Sequence, residues 1–75
     1  MTLKPIAANQ TQLTTNSGNV ILFSYQTPVA AQLASGGFVR TEKKWSRTTS
    51  KHINQWLDGA TAREVPQSEI DALVN

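Results

Sequence analysis

The chain has 75 residues, no cysteine and a formal net charge of +2. A chain this short forms one small core, which excludes a large enclosed active site, and without cysteine it forms neither disulfides nor the usual structural zinc sites. Because no apolar run is long enough for a signal-peptide core or a membrane span, we expect a soluble cytoplasmic protein without membrane contact. We expect residues 1–75 to form one domain that binds neither a metal nor a cofactor.

Residues 1–10 combine a proline with small and polar side chains and show no periodicity, so we expect an irregular arm. Residues 12–15 can form a strand, and the Asn-Ser-Gly-Asn sequence of residues 16–19 is typical of a tight turn. Residues 20–25 are rich in β-branched and aromatic side chains, and both faces of their beginning are apolar. These patterns predict a hairpin whose second strand is central in the sheet.

Pro28 cannot donate a ladder hydrogen bond, so it should interrupt or kink the second strand. Alternation resumes over residues 29–33, which extends that strand beyond the kink. The Ala-Ser-Gly-Gly sequence of residues 34–37 then indicates a turn, and residues 38–45 have the composition of a third strand.

From Thr48 the periodicity becomes helical, and Gly59 is a natural residue to end this helix in the left-handed conformation. The hydroxyls of Ser46, Thr48 and Thr49 are candidates for its N-cap. A second helix is predicted over residues 66–74. The fold class is therefore α+β, with a small antiparallel three-stranded sheet followed by two short helices packed on one face.

Positive charge is concentrated where the third strand meets the first helix. Between residues 40 and 51 only Glu42 opposes five of the seven Lys and Arg residues of the chain, whereas the segment from Asp58 onward is acidic. The basic segment indicates a polyanionic or acidic partner. The acidic end indicates either charge complementarity within one molecule or head-to-tail contact in a homo-oligomer. The five cations are Arg40, Lys43, Lys44, Arg47 and Lys51.

The helix start combines free amides with the hydroxyls of Thr48, Thr49 and Ser50, flanked by Arg47 and Lys51. Hydroxyls here are typical of capping, because each can accept from an amide of the first turn. The same groups can hold a phosphate or carboxylate, which makes the helix start the sharpest site hypothesis.

His52 is the only histidine of the chain. It can pack along Trp56 as a structural residue, or act as a base for Ser50 in a small hydrolase, which would also need an orienting acid such as Asp58. One histidine without cysteine or clustered carboxylates supplies too few ligands for a metal.

The two tryptophans are typical of core residues in a small domain. If Trp45 were instead exposed beside Lys43, its ring could stack on a nucleobase. In a regular strand Arg40 and Lys44 would project from the face opposite Lys43 and Trp45, which would divide the positive charge between two surfaces.

The segments FSYQTPVA (residues 23–30) and TEKKWSRTTSKHINQWL (residues 41–57) resemble short, mostly uncharacterised proteins encoded by bacteriophages, prophages and plasmids. Those proteins share a Ser-Tyr-x-Thr-Pro-Val-Ala segment and a later Thr-Thr-x-x-His helix start. The resemblance covers residues 20–57 and implies a bacterial or viral intracellular setting without an assigned activity.

From charge and resemblance together we expect a non-enzymatic phage or mobile-element accessory protein in the cytoplasm of a bacterial host. It would bind an acidic protein of the host or its defence machinery through the basic strand-helix junction. The alternative is an accessory protein that binds nucleic acid. The predicted contact residues are Arg40, Lys43, Lys44, Trp45, Arg47, Thr48, Thr49, Ser50, Lys51 and His52.

Overall fold

The computed structural model describes residues 2–7, 9–43 and 45–74, which form six strands and two helices. The elements in chain order are β1 (Thr2–Ala7), β2 (Gln10–Thr14), β3 (Val20–Ser24), β4 (Thr27–Gln32), β5 (Phe38–Thr41), α1 (Arg47–Leu57), β6 (Ala62–Val65) and α2 (Gln67–Val74).

All six strands belong to one mixed sheet in the order β1-β2-β3-β4-β5-β6. The first five follow one another as an antiparallel meander, whereas β6 pairs with β5 in parallel. A parallel pair needs a crossover connection, and α1 supplies it. The expected antiparallel three-stranded sheet is therefore wrong, although the α+β class holds.

Two of the unexpected strands lie at the edges of the sheet. Residues 2–7, which were expected to be an irregular arm, form β1, in which Leu3 pairs with Leu13. Pro5 is tolerated there because an edge strand has one side without ladder bonds. At the other edge, β6 has only four residues, two of them charged, and thus shows little of the pattern of a buried strand.

The segment that was expected to be one kinked strand is a hairpin. Ser24 pairs with Thr27, and residues 25 and 26 reverse the chain between β3 and β4. Pro28 lies opposite Phe23, next to an irregularity in the register, which agrees with its inability to donate a ladder bond.

The two helices cover opposite faces of the sheet, so their expected packing on one face is wrong. Consecutive side chains of a strand point to opposite faces. Ile21 belongs to a cluster with Ile70 of α2, whereas the adjacent Leu22 belongs to a cluster with Ile53 and Leu57 of α1. Ile21 and Leu22 are both fully buried, which confirms that β3 is a central strand covered on both sides.

The predicted first helix is confirmed, with both ends capped. Ser46 is the N-cap, in extended conformation, and its side chain accepts a hydrogen bond from the amide of Thr49. After Leu57 the chain leaves the helix through Asp58 and Gly59, with φ of 49° and 85°. The predicted second helix is confirmed as α2. Neither helix is long and apolar enough to cross a membrane.

The division of the core predicts which substitutions act independently. We expect Ile53→Val and Ile70→Val each to lower the free energy of unfolding by about 0.5–1.5 kcal/mol. Because these residues belong to clusters on opposite faces, the loss in the double variant should equal the summed single losses within about 0.5 kcal/mol. Urea denaturation of the four proteins measures this.

The matched comparison is the pair Ile21→Val and Ile70→Val, which shares one cluster and should deviate from additivity by more than the first pair. Larger coupling between Ile53 and Ile70 than between Ile21 and Ile70 would contradict the two-sided core.

Candidate functional site: a basic cleft at the start of α1

A cleft of about 440 Å³ opens where β5 ends and α1 begins. Because β5 and β6 are parallel, their carboxyl ends meet at this edge, and ligands of α/β sheets commonly bind in the crevice outside such ends. The lining consists of Arg40, Thr41, Glu42, Lys43, Trp45, Ser46, Arg47, Thr49, Ser50, Ile53 and Glu64. We call this site the basic cleft.

Three of the predicted cations, Arg40, Lys43 and Arg47, line the basic cleft together. The expectation that Arg40 and Lys43 would lie on different surfaces is wrong. That expectation assumed a strand that continues to residue 45, but β5 ends at Thr41. The side-chain oxygen of Thr41 accepts a hydrogen bond from the amide of Lys43 at 3.1 Å. The strand alternation therefore does not extend to Lys43.

Two carboxylates, Glu42 and Glu64, also line the cleft. Glu64 lies directly beside Arg40, because these residues are partners in the parallel register of β5 and β6. This pairing was not predicted, because it depends on a strand that the composition of residues 62–65 does not indicate. The cleft therefore combines excess positive charge with fixed negative charge.

Trp45 is 41% exposed, so its interpretation as a core residue is wrong. The Nζ atom of Lys43 lies 4.1 Å from its ring centroid, in a cation–π contact. Its indole Nε1 donates to Oε1 of Gln67 at 3.2 Å, while the amide nitrogen of Gln67 donates to the Pro28 carbonyl at 2.8 Å and to Asp71 Oδ1 at 3.0 Å. Gln67 thus connects the loop that carries Trp45 to β4 and α2.

The start of α1 borders the cleft through Ser46, Arg47, Thr49 and Ser50. Ser46 Oγ accepts from the amide of Thr49 at 3.1 Å, and the Ser46 carbonyl accepts from the amide of Ser50. The amides of Arg47 and Thr48, at the first two helical positions, have no intrahelical acceptor by the geometry of an α-helix. They lie at the positive end of the helix dipole.

His52 belongs to a buried polar chain on the β3 side of α1. Its Nδ1 lies 2.9 Å from Ser24 Oγ, which lies 3.2 Å from Thr49 Oγ1. The expected contact with Trp56 is not formed; the His52 ring packs against Tyr25 instead, at a centroid distance of 6.0 Å. Ser24 was not among the predicted residues, because it lies 28 positions from His52 and only the fold joins them.

The other tryptophan and the remaining predicted residues lie outside the cleft. Trp56 is half-buried, donates from Nε1 to Gln12 at 3.2 Å and packs edge-on against Phe38. Thr48 and Lys51 are exposed but do not line the cleft, and Lys44 lies outside the described residues. Across the described chain, no group of three or more His, Asp and Glu side chains could hold a metal.

The contacts of Gln67 predict that it controls the order of Trp45. We expect Gln67→Ala to accelerate hydrogen exchange of the Trp45 indole Nε1–H, because its acceptor is lost. Exchange at Trp56 should be unchanged. The matched variant Gln12→Ala removes the acceptor of Trp56 and should show the reverse pattern. Indole signals in proton–nitrogen NMR spectra measure both rates, and equal rates at Trp45 before and after Gln67→Ala would contradict the bridge.

The comparisons with known proteins give one match. A family model described as a family of unknown function, DUF8033, matches residues 1–72. No curated protein and no solved structure matches the chain. The match agrees with the expected resemblance to uncharacterised proteins and covers more of the chain than that resemblance did. This chain belongs to the family of unknown function DUF8033.

Proposed function

We propose that this chain is a small non-enzymatic accessory protein of a phage or other mobile element, and that it binds an acidic protein segment through the basic cleft. The partner would be a component of the host or its defence machinery in the bacterial cytoplasm. The setting rests on the resemblance of residues 20–57 to phage, prophage and plasmid proteins. The binding mode rests on the cleft.

The observation that carries the proposal is the convergence of Arg40, Lys43 and Arg47 around the start of α1. A carboxylate entering the cleft would gain charge-assisted hydrogen bonds from guanidinium and ammonium groups. The positive end of the helix dipole favours the same sign of charge. The hydrogen bonds and the helix dipole act in the same cleft, so both would stabilise the binding of one acidic side chain there.

Two of these cations are held in position before any partner binds. Arg40 Nη1 donates to Asn54 Oδ1 at 3.2 Å, and the ammonium of Lys43 lies over the ring of Trp45. Side chains that are already ordered lose less conformational entropy on binding. The arrangement therefore suits recognition better than freely rotating surface cations would.

The carboxylates of Glu42 and Glu64 favour a protein segment over a nucleic acid. A phosphate backbone presents closely and regularly spaced negative charges, some of which would face these carboxylates. A protein segment can place one carboxylate near the cations and donors near the glutamates. Mixed charge in the cleft thus supports a partner with mixed charge.

Nucleic-acid binding is the second candidate, because Trp45 is exposed beside Lys43. An exposed indole in a cationic setting can stack on a nucleobase. In this structure, however, the Lys43 ammonium already lies over the ring, so stacking on that side would require Lys43 to move.

The test of the proposal is a pair of variants with equal loss of charge. Lys43→Ser with Arg47→Ser removes two cations from the cleft, whereas Lys4→Ser with Arg63→Ser removes two exposed cations that do not line it. In an affinity pull-down from bacterial lysate, we expect wild type and the control variant to recover an acidic protein that the cleft variant does not recover. With the purified partner, its dissociation constant should rise about tenfold, because exposed charge contacts contribute up to about 1 kcal/mol each.

Equal recovery by both variants would place the contact outside the cleft. A single-stranded DNA or RNA oligonucleotide provides the second arm of the experiment. Binding that weakens steeply with salt and is lost in the cleft variant would favour the nucleic-acid candidate. Absence of oligonucleotide binding at low salt would eliminate it.

A further inference from the structure

Tyr25 adopts a backbone conformation that is unfavourable for a tyrosine. Its φ is 58°, in the left-handed region where bulky residues are rare, and its side chain is 53% exposed. The neighbouring Asn9, whose carbonyl accepts from the amide of Tyr25 at 2.7 Å, has a similar φ of 62°. Asparagine adopts this conformation at a lower cost in free energy than tyrosine does. The turn geometry therefore does not explain tyrosine at position 25.

Strained residues that persist in a fold are concentrated at functional sites. The positive φ of Tyr25 places its exposed ring at the edge of the sheet where α1 begins. There the ring is in contact with His52. Exposed tyrosine is a common anchor in binding surfaces because it combines contact area with few rotatable bonds. The ring of Tyr25 is thus placed for contact with another molecule.

His52 provides a polar group next to this ring. The residue is only 8% exposed, its Nδ1 is bonded to Ser24, and in the part of the chain that the structure describes its Nε2 has no hydrogen-bond partner. Among the described residues, every side-chain nitrogen or oxygen that is inaccessible to solvent has a hydrogen-bond partner. Since Nε2 has none, it must be accessible to solvent.

The hydroxyl chain that ends at Nδ1 favours one of the two tautomers of the neutral His52 ring. Ser46 Oγ accepts from the Thr49 amide and donates to Thr49 Oγ1, so the single proton of Thr49 is left for Ser24 Oγ. The proton of Ser24 is then left for His52 Nδ1. The opposite direction would leave the Thr49 hydroxyl proton only Ser46 Oγ as an acceptor, and that oxygen already accepts from the Thr49 amide. This direction of donation favours the tautomer in which Nδ1 accepts and Nε2 carries the proton.

We infer that Tyr25 and the Nε2–H group of His52 form a second contact site, on the β3 side of α1, for a carboxylate of the partner. The carboxylate accepts from Nε2–H, and its aliphatic stem packs on the tyrosine ring. This inference rests on the proposed function, because it assigns the site to the same acidic partner. It involves none of the three cations of the basic cleft.

Nitrogen NMR tests the site without the partner. The spectrum contains one histidine ring, and in wild type its proton should reside on Nε2; Ser24→Ala should give a mixture of tautomers. In a titration with sodium acetate, with sodium chloride keeping the ionic strength constant, the NMR chemical shifts of His52 Nε2 and the Tyr25 ring should change and reach saturation. The Lys43→Ser, Arg47→Ser variant should retain these shifts, which separates this site from the proposed function.

Substitution of Tyr25 tests its role in contact. Tyr25→Asn should raise the melting temperature, because asparagine relieves the strain, and should lose the saturable acetate shift at His52. Asn9→Gly is the matched control at the same φ and should leave that shift unchanged.

Four results would overturn the inference, and three of them come from the experiments above. They are an Nδ1–H tautomer in the wild type, an acetate response no larger than that to sodium chloride, and a lower melting temperature of Tyr25→Asn. Saturable shifts with inorganic phosphate but none with acetate would also overturn it, because they would assign the site to a phosphate.

Discussion

The parallel pairing of β5 with β6 determines which residues line the basic cleft. A tight turn cannot join two parallel strands, so the chain between them must cross over one face of the sheet, and here it does so as α1. The loop with Lys43 and Trp45 follows β5 directly and so lies at the carboxyl edge of the sheet, where the parallel pairing also sets Glu64 beside Arg40. If residues 62–65 lay in an antiparallel position, the start of α1 would not adjoin two strand ends. The basic cleft thus depends on a strand of only four residues.

The parts of the fold that could be predicted from the sequence are those with a local cause. The helix α1 has apolar residues at helical spacing, a capping serine and a terminal glycine, and all three signals lie within residues 46–59. The missed elements lack such signals. The β3–β4 turn contains neither glycine nor asparagine but Tyr25, so its sequence resembles strand rather than turn. The edge strands β1 and β6 are partly exposed, and their pairing depends on the sheet that they join.

The same distinction applies to the candidate site. The cations were predicted because they are neighbours in the chain, and Arg40, Lys43 and Arg47 are indeed neighbours in space. Their arrangement around one cleft was not predicted, because it required the end of β5 at Thr41. Ser24 and Glu64 were missed for a stronger reason. Each meets its partner through tertiary structure, and no spacing rule joins positions 24 and 52 or 40 and 64.

The polar chain from Ser46 to His52 gives the start of α1 a fixed orientation that apolar packing alone would not provide. Apolar contacts are non-directional, and a chain of 75 residues has a small core, so a helix end held only by such contacts would fray. Hydrogen bonds of 2.9–3.2 Å instead connect the first turns of α1 to Ser24 at the end of β3. The basic cleft lies on one side of this connection and the pair of Tyr25 and His52 on the other. Because both share one fixed helix start, a partner that contacts both would meet two groups whose separation is already set. It would therefore lose less entropy on binding than it would at two independently mobile sites.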